Sequence, residues 1–428
     1  MAQKPNHAIY SASKKGVVYQ PGNFHRKTQG EPAVSVVTYQ PLGNVWVAIE
    51  WLMEKLGVLT LASLKRQLSV KPLARKPDGI SEQTKLTGAK YSPEQICSPY
   101  KAILGYLIEC FEEFARLEHP GLRILVLSHE SSGFCRERNY ARLQEAGLGE
   151  LFEGFDFYII HESRLGLLRF MRFLGQISGK NLWQVWRAFT EAIKRLKQVE
   201  QLERKVRYFQ SLVRNYYEAE NILIRIREQA SDPVVSFGRL KDLVKEAEQA
   251  LSKIPKAREK PIADILLTGE IFQMEEQESS SENIVKELAG RGFFPVKEVG
   301  IGHYLDRFDV SIGGLLWSFL KNRNPFKRNK ERELAKAGGL RHDSGGHSVE
   351  TIALFERILK SRSRGNQPPC GVVVMESFPC LPQIVSANLI PHLMGRYKDR
   401  LPWLRLIFSD QTGRAGIITR IEAFTDLI

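Results

Sequence analysis

Three of the five cysteines in this 428-residue chain stand at turns between predicted regular elements. Cys97 precedes the helix-starting pair Ser-Pro, Cys135 follows Gly-Phe in a loop, and Cys380 is flanked by Pro379 and Pro382. Thiolates on turns at the ends of strands are well placed to converge, and three converging thiolates bind iron–sulfur clusters or zinc. Free cysteine is also among the most buried residue types, and the chain has no Cys-x-x-Cys pair. Buried structural thiols therefore remain the alternative interpretation.

The other two cysteines have different surroundings in the sequence. Cys110 lies inside a predicted helix, and Cys370 lies on the entry side of a predicted strand. In open α/β sheets ligands bind outside the carboxyl ends of the strands, where both Cys135 and Cys380 are expected. Cys97 instead begins a helix, whose N-terminus lowers the pKa of a nearby thiol and stabilises its thiolate. We therefore predict that these three thiols lie together in a cleft between two domains.

Strands and helices alternate in two parts of the chain, on either side of a long helical stretch. Apolar runs at residues 122–127 and 371–375 indicate buried strands, whereas the middle of the chain has the 3.6-residue period of helices. This pattern predicts an α/β fold with two doubly wound parallel-sheet domains, of the Rossmann or flavodoxin-like kind, joined by a helical insert. The predicted parts are a basic arm (residues 1–30), a first α/β domain (31–165), the helical insert (166–256) and a second α/β domain (257–428).

Three polar or charged stretches carry further structural predictions. Residues 71–88 are polar and rich in proline, which predicts a loop. Residues 199–227 keep a helical period without an obvious break, which predicts one long helix. The alternating charges of the helical stretch are typical of solvent-exposed helix faces.

Composition limits the classes of function. The formal net charge of +14 is compatible with nucleic-acid binding, but no zinc-finger, RNA-recognition or helix-turn-helix signature is evident, so nucleic acid is not an expected partner. The basic residues 321–332 are typical of a solvated face, and an acidic protein partner or an anionic CoA-like tail suits them at least as well as nucleic acid does. No apolar run reaches about 18 residues, so no membrane partner is expected. Residues 1–27 lack the apolar core of a signal peptide, and a cytoplasmic location is expected.

Six short segments, spread in order along the chain, carry a family resemblance. They are YSPEQICSPYK (91–101), GFCR (133–136) with Tyr140, ILLTGEIF (265–272), GGHSVE (345–350), FPCLP (378–382) and TRIEAF (419–424). These segments resemble the 2-hydroxyacyl-CoA dehydratase superfamily, most closely its branch of CoA-substrate-specific enzyme activase-related proteins. The likeness covers both predicted α/β domains and is weakest in the helical insert.

The resemblance implies a cofactor and a function. It implies a [4Fe-4S] cluster on Cys97, Cys135 and Cys380, with one iron open to a non-protein ligand. A separate ATP-hydrolysing activase would supply one low-potential electron, because residues near the start of the chain contain no phosphate loop of the D-x-G-x-x-[ST] type. The oxygen-sensitive protein would pass that electron to a bound CoA thioester, from which a 2-hydroxyl leaves as water. A homologous subunit is a further expected partner.

A rival function from a different class remains open. The chain could be a non-catalytic iron–sulfur electron-transfer protein or partner subunit without an acyl-CoA substrate of its own. Phe134 and the stretch Glu137-Arg138-Asn139 depart from the family pattern and favour this rival. Gln383 stands where the family has a glutamate, which bears on the substrate side of the site.

Further residues near these segments are candidates for the site. Arg136 is expected to stabilise a thiolate or an anionic cluster, with Ser98 and Gly133 expected to help bind the cofactor. His347 and Glu270 are the candidate acid–base residues. Each has a plainer interpretation, since a histidine at a helix start is often structural and a glutamate at a strand end is often a buried cap.

Overall fold

The chain folds as a mixed α/β protein built from parallel strands and helices. The structure, a computed structural model, describes residues 17–19, 34–68, 80–117, 122–131, 135–161, 163–275, 279–297, 301, 329–365, 370–409 and 412–428. No helix in these ranges has the length and apolar content needed to span a bilayer.

The first sheet has four parallel strands in the order β1-β4-β3-β2. The strands are β1 (Val17–Tyr19), β2 (Val34–Tyr39), β3 (Leu122–Glu130) and β4 (Asp156–His161). The helices of this part are α1 (Val45–Lys55), α2 (Leu61–Gln67), α3 (Glu82–Lys90), α4 (Ser98–Arg116) and α5 (Tyr140–Gly149). Part of the predicted arm thus pairs with β4, because Val-Val-Tyr is a good strand sequence.

The second sheet also has four parallel strands, in the order β6-β5-β7-β8. The strands are β5 (Asp264–Gly269), β6 (Phe294–Lys297), β7 (Gly371–Ser377) and β8 (Trp403–Phe408). The helices are α10 (Ile271–Met274), α11 (Ser279–Gly290), α12 (Asn329–Ala337), α13 (Ser348–Arg362), α14 (Leu381–Tyr397) and α15 (Arg414–Thr425). Of the basic segment 321–332, only residues 329–332 lie within the described ranges, at the start of α12.

Between the sheets in sequence lie four helices. They are α6 (Arg164–Ser178), α7 (Leu182–Gln210), α8 (Tyr216–Ser231) and α9 (Phe237–Lys253). The prediction of one helix over residues 199–227 is wrong, because the chain turns after Gln210. Asn215 caps the new helix by accepting a hydrogen bond from the Tyr217 amide at 3.2 Å. Such a side chain favours a helix start over a helix interior.

The predicted loop at 71–88 is wrong for its last residues, which form α3. Ser81 caps this helix by accepting from the Thr84 amide at 3.0 Å. The backbones of α3 and α4 approach closely at Gly88 and Gly105, where a side chain on either glycine would collide with the facing backbone. Packing against α4 therefore outweighs the weak helix propensity of this polar stretch.

We expect Gly105→Ala to destabilise the protein by about 1–3 kcal/mol, because its new methyl group would overlap the Thr84 carbonyl oxygen. Gly238→Ala is the matched control, since the nearest atom to its methyl group, Ser236 Oγ, is 3.9 Å away. The control should gain up to about 1 kcal/mol of helix propensity. Urea unfolding measures both changes, and equal midpoints for the two variants would contradict the proposed close packing.

Some charged residues of α7 and α8 form a buried ionic network. The prediction that the charged faces of these helices are exposed to solvent is therefore wrong for those residues. Glu203, on α7, is at the centre of the network: Asn44 Nδ2 is 2.5 Å and Lys297 Nζ 3.2 Å from the carboxylate. Arg207 and Arg227 also contact Glu203, at 3.4 and 3.6 Å. Because Asn44 precedes α1 and Lys297 ends β6, the network joins the helical stretch to elements of both sheets.

Candidate metal centre

Each of the three predicted cysteines occupies the position just before a helical segment. Cys97 is the N-cap residue of α4, Cys380 is that of α14, and Cys135 precedes the 3₁₀ turn Arg136–Asn139. Proline in the first turn of both α4 and α14 favours these helix starts. The first amides of a helix lack partners within the helix and attract negative charge. All three sulfur atoms therefore lie where a thiolate is favoured by the backbone.

Contacts between distant parts of the chain bring these turns together. The Ser98 amide donates to the Phe378 carbonyl at 3.0 Å, which joins the start of α4 to the turn after β7. The Arg136 guanidinium donates to the carbonyls of Gln95, at 2.7 Å, and Pro379, at 3.3 Å. Arg136 thus links the turns that carry all three cysteines.

A fourth turn, that of His347, closes against Cys135. A Cβ atom on Gly346 would lie 3.1 Å from Pro382 Cγ and 3.9 Å from Cys135 Sγ. Gly346 has a φ of +52°, a backbone conformation that favours glycine. The Gly-Gly-His segment therefore approaches the cysteines through its backbone.

Burial dominates the electrostatics of the three thiols. Removal from water raises the pKa of Cys97 to about 11 and that of Cys135 to about 12, and it raises the pKa of Cys380 well above its ordinary value. After the larger effects of burial and of a nearby carboxylate (Glu137 for Cys135, Glu270 for Cys380), a thiolate at Cys97 raises the pKa of Cys135, and thiolates at Cys97 and Cys135 raise that of Cys380. The three sulfur atoms are thus within electrostatic range of one another.

Two charged side chains act on the thiols in opposite directions. Glu270 raises the pKa of both Cys97 and Cys380, after the larger effect of burial, whereas Arg136 lowers that of Cys97. The stabilisation of a bound cluster by Arg136 stays a prediction.

Tyr140 is a contact of Cys97 whose role sequence reasoning missed. Its hydroxyl lies 2.6 Å from Cys97 Sγ, and its ring meets Tyr100 edge-on at a centroid distance of 5.1 Å. The hydrogen bond lowers the pKa of Cys97 against the larger effect of burial. Tyr140 stands five residues after Cys135, at the start of α5, but a tyrosine at a helix start gives no local signal of its partner.

The remaining candidates are spread around this cluster. Ser98 is buried at the first position of α4, and His347 is a buried residue just before α13. The Glu270 carboxylate caps α10 by accepting from the Gln273 amide at 3.1 Å. Gly133 lies outside the described residues. Of the other cysteines, Cys110 is buried within α4 and Cys370 is exposed before β7.

The three cysteines are the candidate metal ligands of this site. Among the described residues, no group of three or more His, Cys, Asp or Glu side chains could hold a metal ion as arranged. The chemistry of the thiols nevertheless fits an iron–sulfur cluster, which is bound by cysteine thiolates. A coordinating thiol is deprotonated by its metal, so ligation would remove the unfavourable ionisation that burial imposes on Cys97, Cys135 and Cys380.

Comparison with known proteins does not assign a family. No protein-family model matches the chain, and no curated protein matches it.

Proposed function

We propose that the protein binds a [4Fe-4S] cluster through Cys97, Cys135 and Cys380 and acts as a dehydratase-type component on a 2-hydroxyacyl-CoA. The observation that carries this proposal is the convergence of three cysteine turns, joined by hydrogen bonds from Arg136. In this proposal each parallel sheet is the centre of a doubly wound, Rossmann-like domain, and residues 166–256 are the insert between them. The cluster lies at the carboxyl ends of strands from both, the usual ligand site of such sheets.

The residues of the chain hold the cluster and control its surroundings. When bound, the cluster supplies one-electron chemistry at low potential. The helix N-termini beside Cys97 and Cys380 and the guanidinium of Arg136 stabilise its negative charge. Cys97 is buried and Cys135 and Cys380 are half-buried, which limits the access of water and oxygen to the cluster and protects a reduced state.

The proposed partner is a separate ATP-hydrolysing activase that delivers the electron in the cytoplasm, with a homologous subunit as a second partner. Two large apolar side chains beside Cys380 support a docking surface at this point. Phe378 is 58% exposed and Leu381 is 44% exposed, on either side of the half-buried Cys380. Exposed apolar residues of this kind mark interaction sites when they lie together.

A second candidate function is an electron carrier or partner subunit without its own thioester substrate. Charged side chains beside Cys135 favour it. The Glu137 carboxylate raises the pKa of Cys135 and lies 3.1 Å from His129 Nδ1, and Arg138 approaches Glu130 at 3.5 Å. These contacts place polar and charged side chains beside Cys135.

An EPR experiment distinguishes the two functions. The protein is purified without oxygen, reduced with dithionite, and mixed with a 2-hydroxyacyl-CoA thioester or with free CoA as the control. A dehydratase component should change its EPR spectrum with the thioester and not with free CoA. An unchanged spectrum would reject the dehydratase function and leave the electron carrier.

A further inference from the structure

The Glu270 carboxylate is fixed between two of the three cysteine turns. It accepts hydrogen bonds from the Gln273 amide and from Ser377 Oγ, both at 3.1 Å. Ser377 is fully buried at the end of β7, three residues before Cys380, and its hydroxyl accepts from Gln273 Nε2 at 3.1 Å. The carboxylate is therefore held near the Cys380 turn by groups that are themselves immobilised.

The hydrogen bonds of Glu270 favour its charged form. A backbone amide at a helix start and a hydroxyl both donate to the carboxylate, which stabilises the anion. The Cys380 amide donates to the Ser377 carbonyl at 2.6 Å and the Ser98 amide donates to the Phe378 carbonyl at 3.0 Å, so Ser377 connects the carboxylate to the turns of both Cys380 and Cys97.

We propose that Glu270 holds a fixed negative charge beside the cluster and that this charge keeps the reduction potential of the cluster low. This inference rests on the proposed function. Reduction adds one electron to a cluster that is already surrounded by thiolates, and a nearby carboxylate makes that addition less favourable. In a partly buried site this repulsion is stronger than in water, and net charge is one of the factors that set the potential of an iron–sulfur cluster.

The test is a potentiometric titration of Glu270→Gln, followed by EPR. Glutamine keeps the size of the side chain and an oxygen acceptor but removes the charge. Dithionite is the reductant, and each cluster takes up one electron from it. At a fixed potential we expect the ratio of reduced to oxidised cluster to rise roughly tenfold, a shift of about 59 mV for a one-electron couple. Glu422→Gln, a half-exposed carboxylate on α15, is the control and should keep the wild-type potential.

Iron content is measured first, so that each outcome can be interpreted. A raised potential with full iron supports the proposal, and an unchanged potential with full iron overturns it. If Glu270→Gln does not hold iron, Glu270→Asp replaces it and should give a smaller rise. Loss of iron in both variants would make Glu270 a residue of cluster binding and overturn its role as a fixed charge. A wild-type protein without iron would instead reject the proposed function itself.

Discussion

Cys97→Ala is expected to lose about nine-tenths or more of its bound iron, whereas Cys110→Ala keeps the wild-type amount. Even changes to residues that only support a metal ligand commonly lower affinity 10–100-fold, and this variant removes a ligand itself. Cys110 is the matched control because each of the two side chains is 6% exposed and both belong to the region of α4. The measurement is iron and acid-labile sulfide per chain after purification without oxygen.

The same result is expected for Cys135→Ala and Cys380→Ala, with exposed Cys370→Ala as the second control. If the three ligand variants retain full iron, the cysteine cluster is structural. If Cys110→Ala loses as much iron as Cys97→Ala, the loss reports damage to α4 and the ligand assignment is wrong. Circular dichroism of each variant shows whether the fold is kept.

Glu203→Gln is expected to lower the free energy of unfolding by about 3–5 kcal/mol, because it removes one partner from a buried ionic network. Lys297, Arg207 and Arg227 would then carry buried positive charge with one carboxylate fewer. Glu248→Gln is the control, since its pair with Lys205 is largely exposed and should be worth less than about 1 kcal/mol. Urea unfolding at pH 7 compares the two. Equal losses would contradict the central role of Glu203.

The effect of Glu203 should depend on pH in a definite direction. Burial alone would raise the pKa of Glu203, but Lys297, Arg227 and Arg207 outweigh burial and hold it well below its ordinary value. The stability that this depressed pKa provides is therefore present above the unfolded value of about 4.3 and is lost as the pH falls further. Unfolding midpoints of wild type and Glu203→Gln should thus converge in acid, and a constant difference would argue against an ionic origin.

Sequence reasoning located the buried strands β3 and β7 and the helix start after Cys97, because their signals are local. The apolar runs at 122–127 and 371–375 lie within β3 and β7, which are buried along their centres. Parallel strands covered on both faces require such continuous apolar runs. Proline after Cys97 and after Cys380 similarly marks a helix start without reference to the rest of the fold.

Contacts between distant residues could not be predicted in the same way. The partners of Arg136 lie 41 and 243 residues away along the chain, so no local pattern announces them. The charges of α7 alternate as an exposed helix would, yet Glu203 and Arg207 are buried because oppositely charged groups from other elements meet them. Helix α3 likewise forms because α4 offers it a close surface at Gly105.

Iron and sulfide analysis of the wild-type protein, purified without oxygen, tests the central claim most directly. We expect about four iron and four sulfide per chain, together with an EPR signal that dithionite reduction brings out. A protein that is folded under these conditions and contains neither iron nor sulfide would contradict the claim, and Cys97, Cys135 and Cys380 would then be structural thiols.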